Sequence, residues 1–328
     1  MSDYQQSYDK FSEQANAILE KIAFGRQPAS VYEPFHYIIS GKGKRIRPVL
    51  AMMACGAAGG EPMFALEAAC ALEILHNFTL VHDDIMDNSP LRRGKQTIHE
   101  KWNEPVAILC GDIMAAYGYR LLGKYRHLPE YAGIVSAFTD AFVEVCEGQA
   151  LDMEYESAAK VSLGSYIEMI DKKTARLLAG AAKIGGLCAS ADAERIEALN
   201  SFAINLGIAF QIQDDLLDLV ADEAQLGKKI GNDIIEGKKT YLIIRAIEKA
   251  KDKKDKKLLD EFIQNGGLPE SYIPAVRDML GRLEILDQAR SDSAGYFESA
   301  GRCLAALQDN YYRGMLFWLL EKLNKRNY

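Results

Sequence analysis

Two acidic clusters with the same spacing have the plainest chemical meaning in this chain. The first reads Asp-Asp-Ile-Met-Asp at Asp83–Asp87, and the second reads Asp-Asp-Leu-Leu-Asp at Asp214–Asp218. On a helix, the first and last residues of such a cluster lie one turn apart on one face, where like charges repel. Mg²⁺ is typically held by one or two carboxylates together with substrate phosphates. The repeat predicts a metal-diphosphate site whose metal residues are Asp83, Asp84, Asp87, Asp214, Asp215 and Asp218.

Each cluster is predicted to lie in the last turns of an apolar helix. Pro90 disfavours helical geometry at Ser89, so the first helix should end close to its cluster. Carboxylates near the negative end of a helix dipole are unfavourable by up to about 1 kcal/mol, unless a cation is present. The second cluster follows the apolar run at 208–212. We expect these two helices to face each other across one bundle.

Basic residues stand beside both clusters, and their grouping predicts phosphate contacts. The group at Gly43–Pro48 precedes a helix that Pro48 can begin, and helix N-termini favour anions. A second helix is predicted to begin at Lys172-Lys173-Thr174. His76, two turns before Asp83, can donate to a phosphate oxygen, although a histidine at a core edge is the plainer interpretation. The groups besides Lys172-Lys173-Thr174 are Gly43-Lys44-Arg45-Ile46-Arg47-Pro48, Arg92-Arg93-Gly94-Lys95, Gly227-Lys228-Lys229 and Gly237-Lys238-Lys239-Thr240.

The elements that must position these residues are predicted to be helices. Apolar residues recur at three- and four-residue steps, as in Leu66–Ala69–Leu72–Leu75, and alternation typical of strands is hard to find. The two clusters are far apart in the chain, and no short-period repeat accompanies them. We therefore predict an all-α protein with a single domain over residues 1–328.

Composition limits the classes of function. The 328 residues are 48% apolar and 26% charged, with a net charge of −7, which argues against a nucleic-acid partner. The six cysteines form no Cys-x-x-Cys pair and are predicted to be buried, reduced thiols. The N-terminus is polar and acidic, unlike a signal or transit peptide. No apolar run approaches the ~20 residues of a membrane span, so we predict a cytoplasmic protein without one.

Ten ordered motifs resemble those of the trans-isoprenyl diphosphate synthases, the polyprenyl synthetase family. The similarity runs from about Tyr37 to Tyr241, and we expect it to cover nearly the whole chain. The motifs are GKRIRP (43–48), LEILH (72–76), HDDIMD (82–87), RRGK (92–95), GD (111–112), GQALD (148–152), KTA (173–175), FQIQDDLLD (210–218), GKKIGND (227–233) and EGKKT (236–240). Two features depart from the family pattern: Tyr241 stands where Pro is common, and Lys229 beside Lys228 duplicates a phosphate-binding lysine.

The resemblance implies a bundle of long helices around a deep central cavity, usually in a homodimer. It implies head-to-tail condensation of isopentenyl diphosphate with an allylic diphosphate, and about three Mg²⁺ ions per site. Asp83, Asp87 and Asp214 resemble the metal ligands, with the other three cluster residues in support. The allylic diphosphate contacts implied are Arg92, Lys173, Thr174, Gln211, Lys228 and Lys238. The isopentenyl diphosphate contacts implied are Lys44, Arg47, His76 and Arg93, with the tail Lys325-Arg326 closing over them.

The resemblance also implies a mechanism and a product length. Metal ions and the basic residues would stabilise the departing diphosphate, while Thr174 and Gln211 would stabilise the allylic cation. Phe78 and Thr79, five and four residues before Asp83, would form the floor for the growing tail. A single large aromatic there, with no insertion in the first cluster, resembles geranylgeranyl (C20) synthases. We predict C20 first and farnesyl (C15) second.

Four alternatives are consistent with parts of the pattern. A longer-chain polyprenyl synthase would share the chemistry. A terpene cyclase would share the fold, but such enzymes usually alter the second cluster and need no isopentenyl site. A carboxylate-bridged di-iron bundle would use Glu33-x-x-His36 and Glu73-x-x-His76, although Pro34 interrupts the first pair. A non-catalytic partner subunit would be expected to lose one cluster.

Overall fold

The computed structural model describes residues 3–41, 43–158, 160–220 and 230–325. The regular secondary structure of these residues is helical apart from one short hairpin. The α-helices are α1 Asp3–Ala23, α2 Ala29–Ile39, α3 Ile46–Ala57, α4 Leu66–Met86, α5 Ile98–Lys101, α6 Glu104–Leu122, α7 Tyr131–Ser157, α8 Leu163–Ile170, α9 Arg176–Cys188, α10 Ala193–Val220, α11 Asn232–Ile235, α12 Tyr241–Lys249, α13 Lys253–Asn265, α14 Ile273–Arg282, α15 Ile285–Cys303 and α16 Tyr311–Asn324. Strands β1 (Leu91–Arg92) and β2 (Lys95–Gln96) pair in antiparallel fashion. A π-helical turn, Asp171–Ala175, joins α8 to α9.

The chain divides into two compact units, each built from three segments. The first unit comprises Met1–Val143, Leu177–Ala203 and Cys303–Leu319. The second unit comprises Glu144–Arg176, Ile204–Arg302 and Leu320–Tyr328. The first acidic cluster belongs to the first unit and the second cluster to the second unit. The predictions of a single domain, of a central cavity and of facing cluster helices stay predictions.

The first unit is held together by helices that are apolar on nearly every side. In α3 the side chains from Pro48 to Ala57 are all buried, and α4 is buried almost throughout from Ala68 to Leu75. Such burial stabilises by roughly 1.5–3 kcal/mol for each large aliphatic side chain. Gly185 of α9 permits a close approach to α3, because an added Cβ would lie 2.2 Å from the Ala51 carbonyl oxygen. This packing fixes the helix that ends in the first cluster.

The second unit has its own core, which surrounds the end of α10. Ile212 and Leu216 of α10 are fully buried with Ile243 and Ile244 of α12 and with Met279 of α14. The apolar residues of α10 therefore point into this core, while the intervening polar residues of the second cluster lie at its edge. Packing on one side of α10 sets the direction of the carboxylates on the other.

Several local predictions can be compared with the structure. Helix α4 ends at Met86, which confirms a helix end at the first cluster before Pro90. Helix α3 begins at Ile46 rather than at Pro48, because Arg45 has a left-handed backbone with φ 49°. The prediction of buried cysteines is confirmed for Cys55, Cys70, Cys110 and Cys188 and wrong for Cys146, which is exposed.

Two helical stretches are long and apolar enough to cross a membrane by length and composition, Pro62–Met86 and Glu104–Tyr125. The most apolar window of the first stretch is 72% buried within the fold, and that of the second is 39% buried. Core helices of soluble proteins pass the same test, so these two stretches are weak evidence for a span. The prediction of no membrane span stays a prediction.

Candidate active site

The last turn of α4 presents the first cluster with its residues in unequal surroundings. Asp84 is 2% exposed and accepts a hydrogen bond from Arg92 Nε at 2.6 Å. Burial raises the pKa of Asp84, and the Arg92 guanidinium opposes that rise. Asp83 is half-buried and Asp87 is exposed. Asp83 and Asp87 are thus partly or largely exposed to solvent, whereas Asp84 is buried and paired with Arg92.

The hairpin after the first cluster explains how Arg92 and Arg93 are presented. Leu91 pairs with Gln96 and Arg92 with Lys95, leaving Arg93 and Gly94 as a two-residue loop. Both loop residues have positive φ, 52° and 75°, as a hairpin turn matched to strand twist requires. This hairpin was not predicted from the sequence, although the Arg-Gly pair was its signal.

A cation-rich cluster of the first unit contains Arg47, His76 and Arg93, which act on one another electrostatically. Burial lowers the pKa of Arg47 to about 10, and the positive charge of Arg93 lowers it further. The buried Arg47 Nε has no hydrogen-bond partner among the described residues. Burial also lowers the pKa of His76 well below its usual value, followed by the positive charge of Arg47 and Arg93. Crowded cations around an unsatisfied donor are suited to an anion.

In the second cluster the middle carboxylate is again the buried one. Asp215 is 5% exposed and accepts hydrogen bonds from the Tyr166 hydroxyl, from Gln211 Nε2 at 3.1 Å and from the Tyr241 backbone N–H at 3.1 Å. Because Tyr241 is the first residue of α12, Asp215 satisfies a donor at that helix N-terminus. Burial raises the pKa of Asp215 to about 7. Asp214 and Asp218 are half-buried.

A polar pocket of about 130 Å³ opens beside this cluster, within the second unit. Thr174 Oγ1 donates to Gln211 Oε1 at 3.0 Å, and Lys173 forms an ion pair with Asp152. Lys238 pairs with Glu236 at 2.8 Å. The pocket is lined by Asp152, Tyr166, Met169, Ile170, Lys173, Thr174, Gln211, Asp215, Asp233, Lys238, Lys239 and Thr240.

The π-helical turn that carries Lys173 and Thr174 fits between two glycines of neighbouring helices. An added Cβ at Gly148 of α7 would lie 2.3 Å from the Lys173 backbone nitrogen. An added Cβ at Gly207 of α10 would lie 2.5 Å from Ala175 Cα. The prediction that Lys172–Thr174 opens a helix is therefore wrong, since the segment is a π-helical turn inside a longer helical run. Such turns recur at functional sites because they redirect side chains.

Comparison with known proteins now decides the family. The family model described as polyprenyl synthetase matches residues 28–278. A geranylgeranyl diphosphate synthase of Methanosarcina mazei is 36% identical over 97% of this chain and 96% of its own length. A crystal structure of the geranylgeranyl pyrophosphate synthetase from Pyrococcus horikoshii has a TM-score of 0.91 and 35% identity, covering 99% of this chain and 98% of its own.

The chain belongs to the polyprenyl synthetase family. The resemblance found in the motifs is thereby confirmed, as are the all-α bundle fold and the activity class, a trans-prenyltransferase. A polyprenyl synthase from Caulobacter crescentus, described as complexed with calcium and isoprenyl diphosphate, has a TM-score of 0.89 and 27% identity over 99% of this chain and 98% of its own.

The donor groups of both clusters suit a hard divalent cation. Asp83 and Asp87 offer carboxylate oxygens at the open end of α4, and Asp214 and Asp218 do so on α10. Among the described residues, no three histidine, cysteine or acidic side chains converge as a complete metal site. Such an arrangement matches Mg²⁺, which keeps waters and takes the remaining ligands from substrate phosphates. Membership of the polyprenyl synthetase family argues against the di-iron alternative, and Glu73 pairs with Arg45 at 2.7 Å.

The structure brings the predicted residues together as two sets, one in each unit. Lys173, Thr174, Gln211, Asp215 and Lys238 line one pocket of the second unit. Arg47, His76, Arg92 and Arg93 act on one another electrostatically in the first unit, with Lys44 exposed nearby in the chain. Lys228 and Arg326 lie outside the described residues. The roles assigned to all these residues stay predictions.

The residues predicted to set product length lie on α4 in the first unit. The Phe78 ring packs against Phe142 of α7 at a centroid distance of 5.0 Å and against His82 at 4.6 Å. Gly111 of α6 makes room for this group, since an added Cβ would lie 2.1 Å from His82 Nε2. The Thr79 hydroxyl donates to the His76 carbonyl at 2.8 Å, so its polar atom is held by its own helix.

Three of the pocket residues that were not predicted as site residues are bonded to predicted ones. Asp152 closes the GQALD motif and holds Lys173, so the motif was its signal. Tyr166 reaches Asp215 across the fold and has no local signal. The Asp233 backbone N–H donates to Asp218 Oδ2 at 3.1 Å, and burial, followed by the charges of Asp218 and Asp215, raises the pKa of Asp233 to about 8.

Proposed function

We propose that this protein condenses isopentenyl diphosphate with allylic diphosphates in a Mg²⁺-dependent, head-to-tail reaction that gives all-trans geranylgeranyl diphosphate. The observation that carries the proposal is the matched pair of clusters, each with a buried second carboxylate and a half-buried first one. The proposed C20 product is supported by the names of relatives, including geranylgeranyl diphosphate synthases at 36%, 37% and 43% identity. These names favour C20 over the C15 alternative.

Asp83 and Asp87 on α4, and Asp214 with Asp218 on α10, would hold about three Mg²⁺ ions against the allylic diphosphate. Bound metal would supply electrostatic stabilisation of the negative charge on the departing diphosphate. Asp84 and Asp215 are buried and hydrogen-bonded to Arg92 and to Tyr166. We assign these two a positioning role, in which they fix the turns that carry the outer carboxylates.

The chain's own cations would bind and orient the same diphosphate. Lys173 and Lys238 line the pocket of the second unit, where Asp152 and Glu236 now neutralise them. A diphosphate entering this pocket competes for their ammonium groups. Because such donors are held in place before the reaction, they stabilise charge as it develops without reorganising.

In this reaction every bond that breaks or forms is accounted for without a side chain that acts as a base. The allylic C–O bond breaks and its electron pair leaves with diphosphate. The double bond of isopentenyl diphosphate attacks the allylic cation, and the departed diphosphate then takes the proton whose loss forms the new double bond. The Thr174 hydroxyl and the Gln211 amide, joined by a hydrogen bond, would direct their oxygens toward the cation.

Isopentenyl diphosphate would bind at the cation-rich cluster of the first unit. The unsatisfied Arg47 Nε and the cations around His76 support this assignment, with Lys44 and Arg93 as further contacts. The neutral imidazole of His76 would donate one hydrogen bond to a phosphate oxygen. Phe78, packed against Phe142, would form the floor that stops the chain at C20.

We further propose a homodimer, a single domain and a cytoplasmic location. Side chains on α6 support the dimer, since Ile108, Leu109 and Tyr119 are exposed although large and apolar. Exposed apolar surface of this kind is typical of protein interfaces. Light scattering coupled to gel filtration tests the dimer; a monomer at micromolar concentration would contradict it.

Product analysis tests the function directly. Labelled isopentenyl diphosphate is incubated with C5, C10 or C15 allylic diphosphates, with and without Mg²⁺, and the products are separated by chain length. We expect a C20 diphosphate that requires metal. A product well beyond C20 would favour the longer-chain alternative, and a cyclic hydrocarbon without isopentenyl consumption would favour a terpene cyclase.

A further inference from the structure

Arg45 stands between two predicted substrate contacts, yet its own side chain is turned into the protein. It is 4% exposed, and its backbone takes the left-handed conformation at φ 49°. Its guanidinium donates to Asn16 Oδ1, Glu73 Oε1 and the Ile39 carbonyl at 2.7 Å each, and to the Gly41 carbonyl at 2.8 Å. A side chain with these commitments cannot bind a substrate in the same conformation.

The main partner of Arg45 is Glu73, which is 5% exposed on α4. Glu73 lies one turn before His76, and the Asn77 amide donates to the Glu73 carbonyl at 2.7 Å. The ion pair therefore joins the segment that carries Lys44 and Arg47 to the turn that carries His76. It sets the spacing between groups that are separated by about thirty positions in the chain.

The charge of Glu73 also matters to Arg47. The cations Arg93 and Arg47 crowd together, and Glu73 is the carboxylate that raises the pKa of Arg47 against burial. Without Arg45, this buried carboxylate would have no guanidinium of its own. Arg47 has a buried Nε without a partner among the described residues and already feels the charge of Glu73, so it is a candidate to replace Arg45.

We propose that Arg45 is a positioning residue that engages Glu73 and so keeps Arg47 and His76 available for the diphosphate of isopentenyl diphosphate. This inference rests on the proposed function, because it assumes that the cluster with Arg47 and His76 binds isopentenyl diphosphate. Helix α1 also contacts this segment. Asn16 accepts from Arg45, and the Tyr8 hydroxyl donates to the Lys44 carbonyl.

Kinetic analysis of two variants tests the inference. In Arg45→Gln, Glu73 is left to pair with Arg47, and we expect KM for isopentenyl diphosphate to rise about tenfold or more. KM for the allylic substrate should change less than about twofold, because its contacts belong to other residues. In the double variant Arg45→Gln/Glu73→Gln, the competing carboxylate is gone, and KM should return to within about threefold of wild type.

The double variant separates charge competition from simple loss of structure. If Arg45 only stabilises the fold, removing Glu73 as well leaves KM as poor as in the single variant, and the proposal is overturned. Equal rises of KM for both substrates would overturn it too. Arg45→Lys keeps a cation beside Glu73; it replaces Arg45→Gln if that variant does not fold, and its KM should lie between the other two.

A matched control breaks an ion pair of the same chemistry in the second unit. Arg282 Nη2 donates to the buried Asp255 carboxylate at 2.6 Å, between α13 and α14. Arg282→Gln should leave KM for isopentenyl diphosphate unchanged within about twofold, since that pair touches no predicted contact. A rise equal to that of Arg45→Gln would show that any broken ion pair has this effect.

Calorimetric binding of isopentenyl diphosphate distinguishes this inference from the proposed function. Wild type that binds the compound but forms no prenyl product would refute the function and leave the Arg45 assignment to be judged on affinity. Equal affinity in wild type and Arg45→Gln would refute the assignment alone. Absence of binding to wild type would refute both.

Discussion

Asp84 and Asp215 hold the same place in two clusters of identical spacing, yet their partners differ in kind. Asp84 is paired with the Arg92 guanidinium, which comes from the hairpin just after the cluster and is partly exposed. Asp215 serves three donors from three different elements and satisfies the N-terminus of α12. The first cluster is therefore anchored by a local charge pair, and the second by neutral donors, two of them distant in the chain and one on the same helix.

The surroundings of the two clusters differ in the same way. Burial and neighbouring cations lower the pKa of His76 in the first unit, whereas burial, with a smaller contribution from Asp214, raises the pKa of Asp215 in the second. Like charges are crowded in both places, so each favours a ligand of opposite charge. The same motif therefore lies in two different environments. The cations near the first cluster are suited to an anion alone, and the carboxylates near the second are suited to an anion with metal.

The largest effect is expected from the open carboxylates. Asp83→Ala or Asp214→Ala should lower kcat by at least about 10²–10³-fold, the loss seen when one preorganised electrostatic contact is removed. The fold should survive, because neither side chain is fully buried. Steady-state kinetics with a circular dichroism control measures this. Near-normal turnover in either variant would remove that residue from the site.

The buried carboxylates should instead affect stability, and unequally. Asp215→Ala leaves three donors unsatisfied and should lower the free energy of unfolding by about 3 kcal/mol or more. Asp84→Ala releases only Arg92, which can regain water, and should cost about 1 kcal/mol. Urea unfolding without metal compares the two. Equal losses would show that the anchoring of the clusters is alike.

Glycines near each cluster sharpen the comparison further. Gly148→Ala forces a Cβ against the backbone of the π-helical turn and should cost about 1–3 kcal/mol, with a higher KM for the allylic substrate. Gly111→Ala meets the His82 ring, a side chain that can move, and should cost less. Thermal unfolding of both variants is the measurement. A larger loss in Gly111→Ala would mean that the ring is held as firmly as backbone.

Phe78 should change the product more than the rate. Phe78→Ala removes the ring that packs against Phe142, and the product is expected to lengthen beyond C20. Chromatography of the labelled products gives the distribution. Phe138→Leu, at a buried position of α7 whose ring contacts Tyr119 of α6, serves as control. An unchanged product from Phe78→Ala would place the floor elsewhere.

The smallest effect concerns acid stability of the first unit. Histidine in an unfolded chain has a pKa of about 6.5, whereas burial and neighbouring cations lower the pKa of His76 in the folded protein. Below a pH of about 6.5, the unfolded chain therefore binds a proton that the folded protein does not bind. Stability should therefore fall as pH drops from about 7 to 5, and His76→Gln should lose less. Equal losses in both proteins would show that His76 is not buried as described.

By itself the sequence determined the helical class, the end of α4 and five of the twelve residues that line the pocket of the second unit. These follow from local rules: apolar periodicity, the exclusion of helix before Pro90, and carboxylates or cations at fixed spacing. The ordered motifs then determined the family. Such properties depend on residues close in the chain, which is why they can be predicted without a structure.

Only the tertiary structure decided how each of those residues is used. The separation of Asp84 and Asp215 from their open neighbours depends on Arg92, Tyr166 and Tyr241, which approach from other elements. The π-helical turn at Lys173 is fitted between glycines of two other helices, and Arg45 turns inward because Glu73 lies on α4. Burial and long-range hydrogen bonds set these outcomes, and neither is encoded in spacing along the chain.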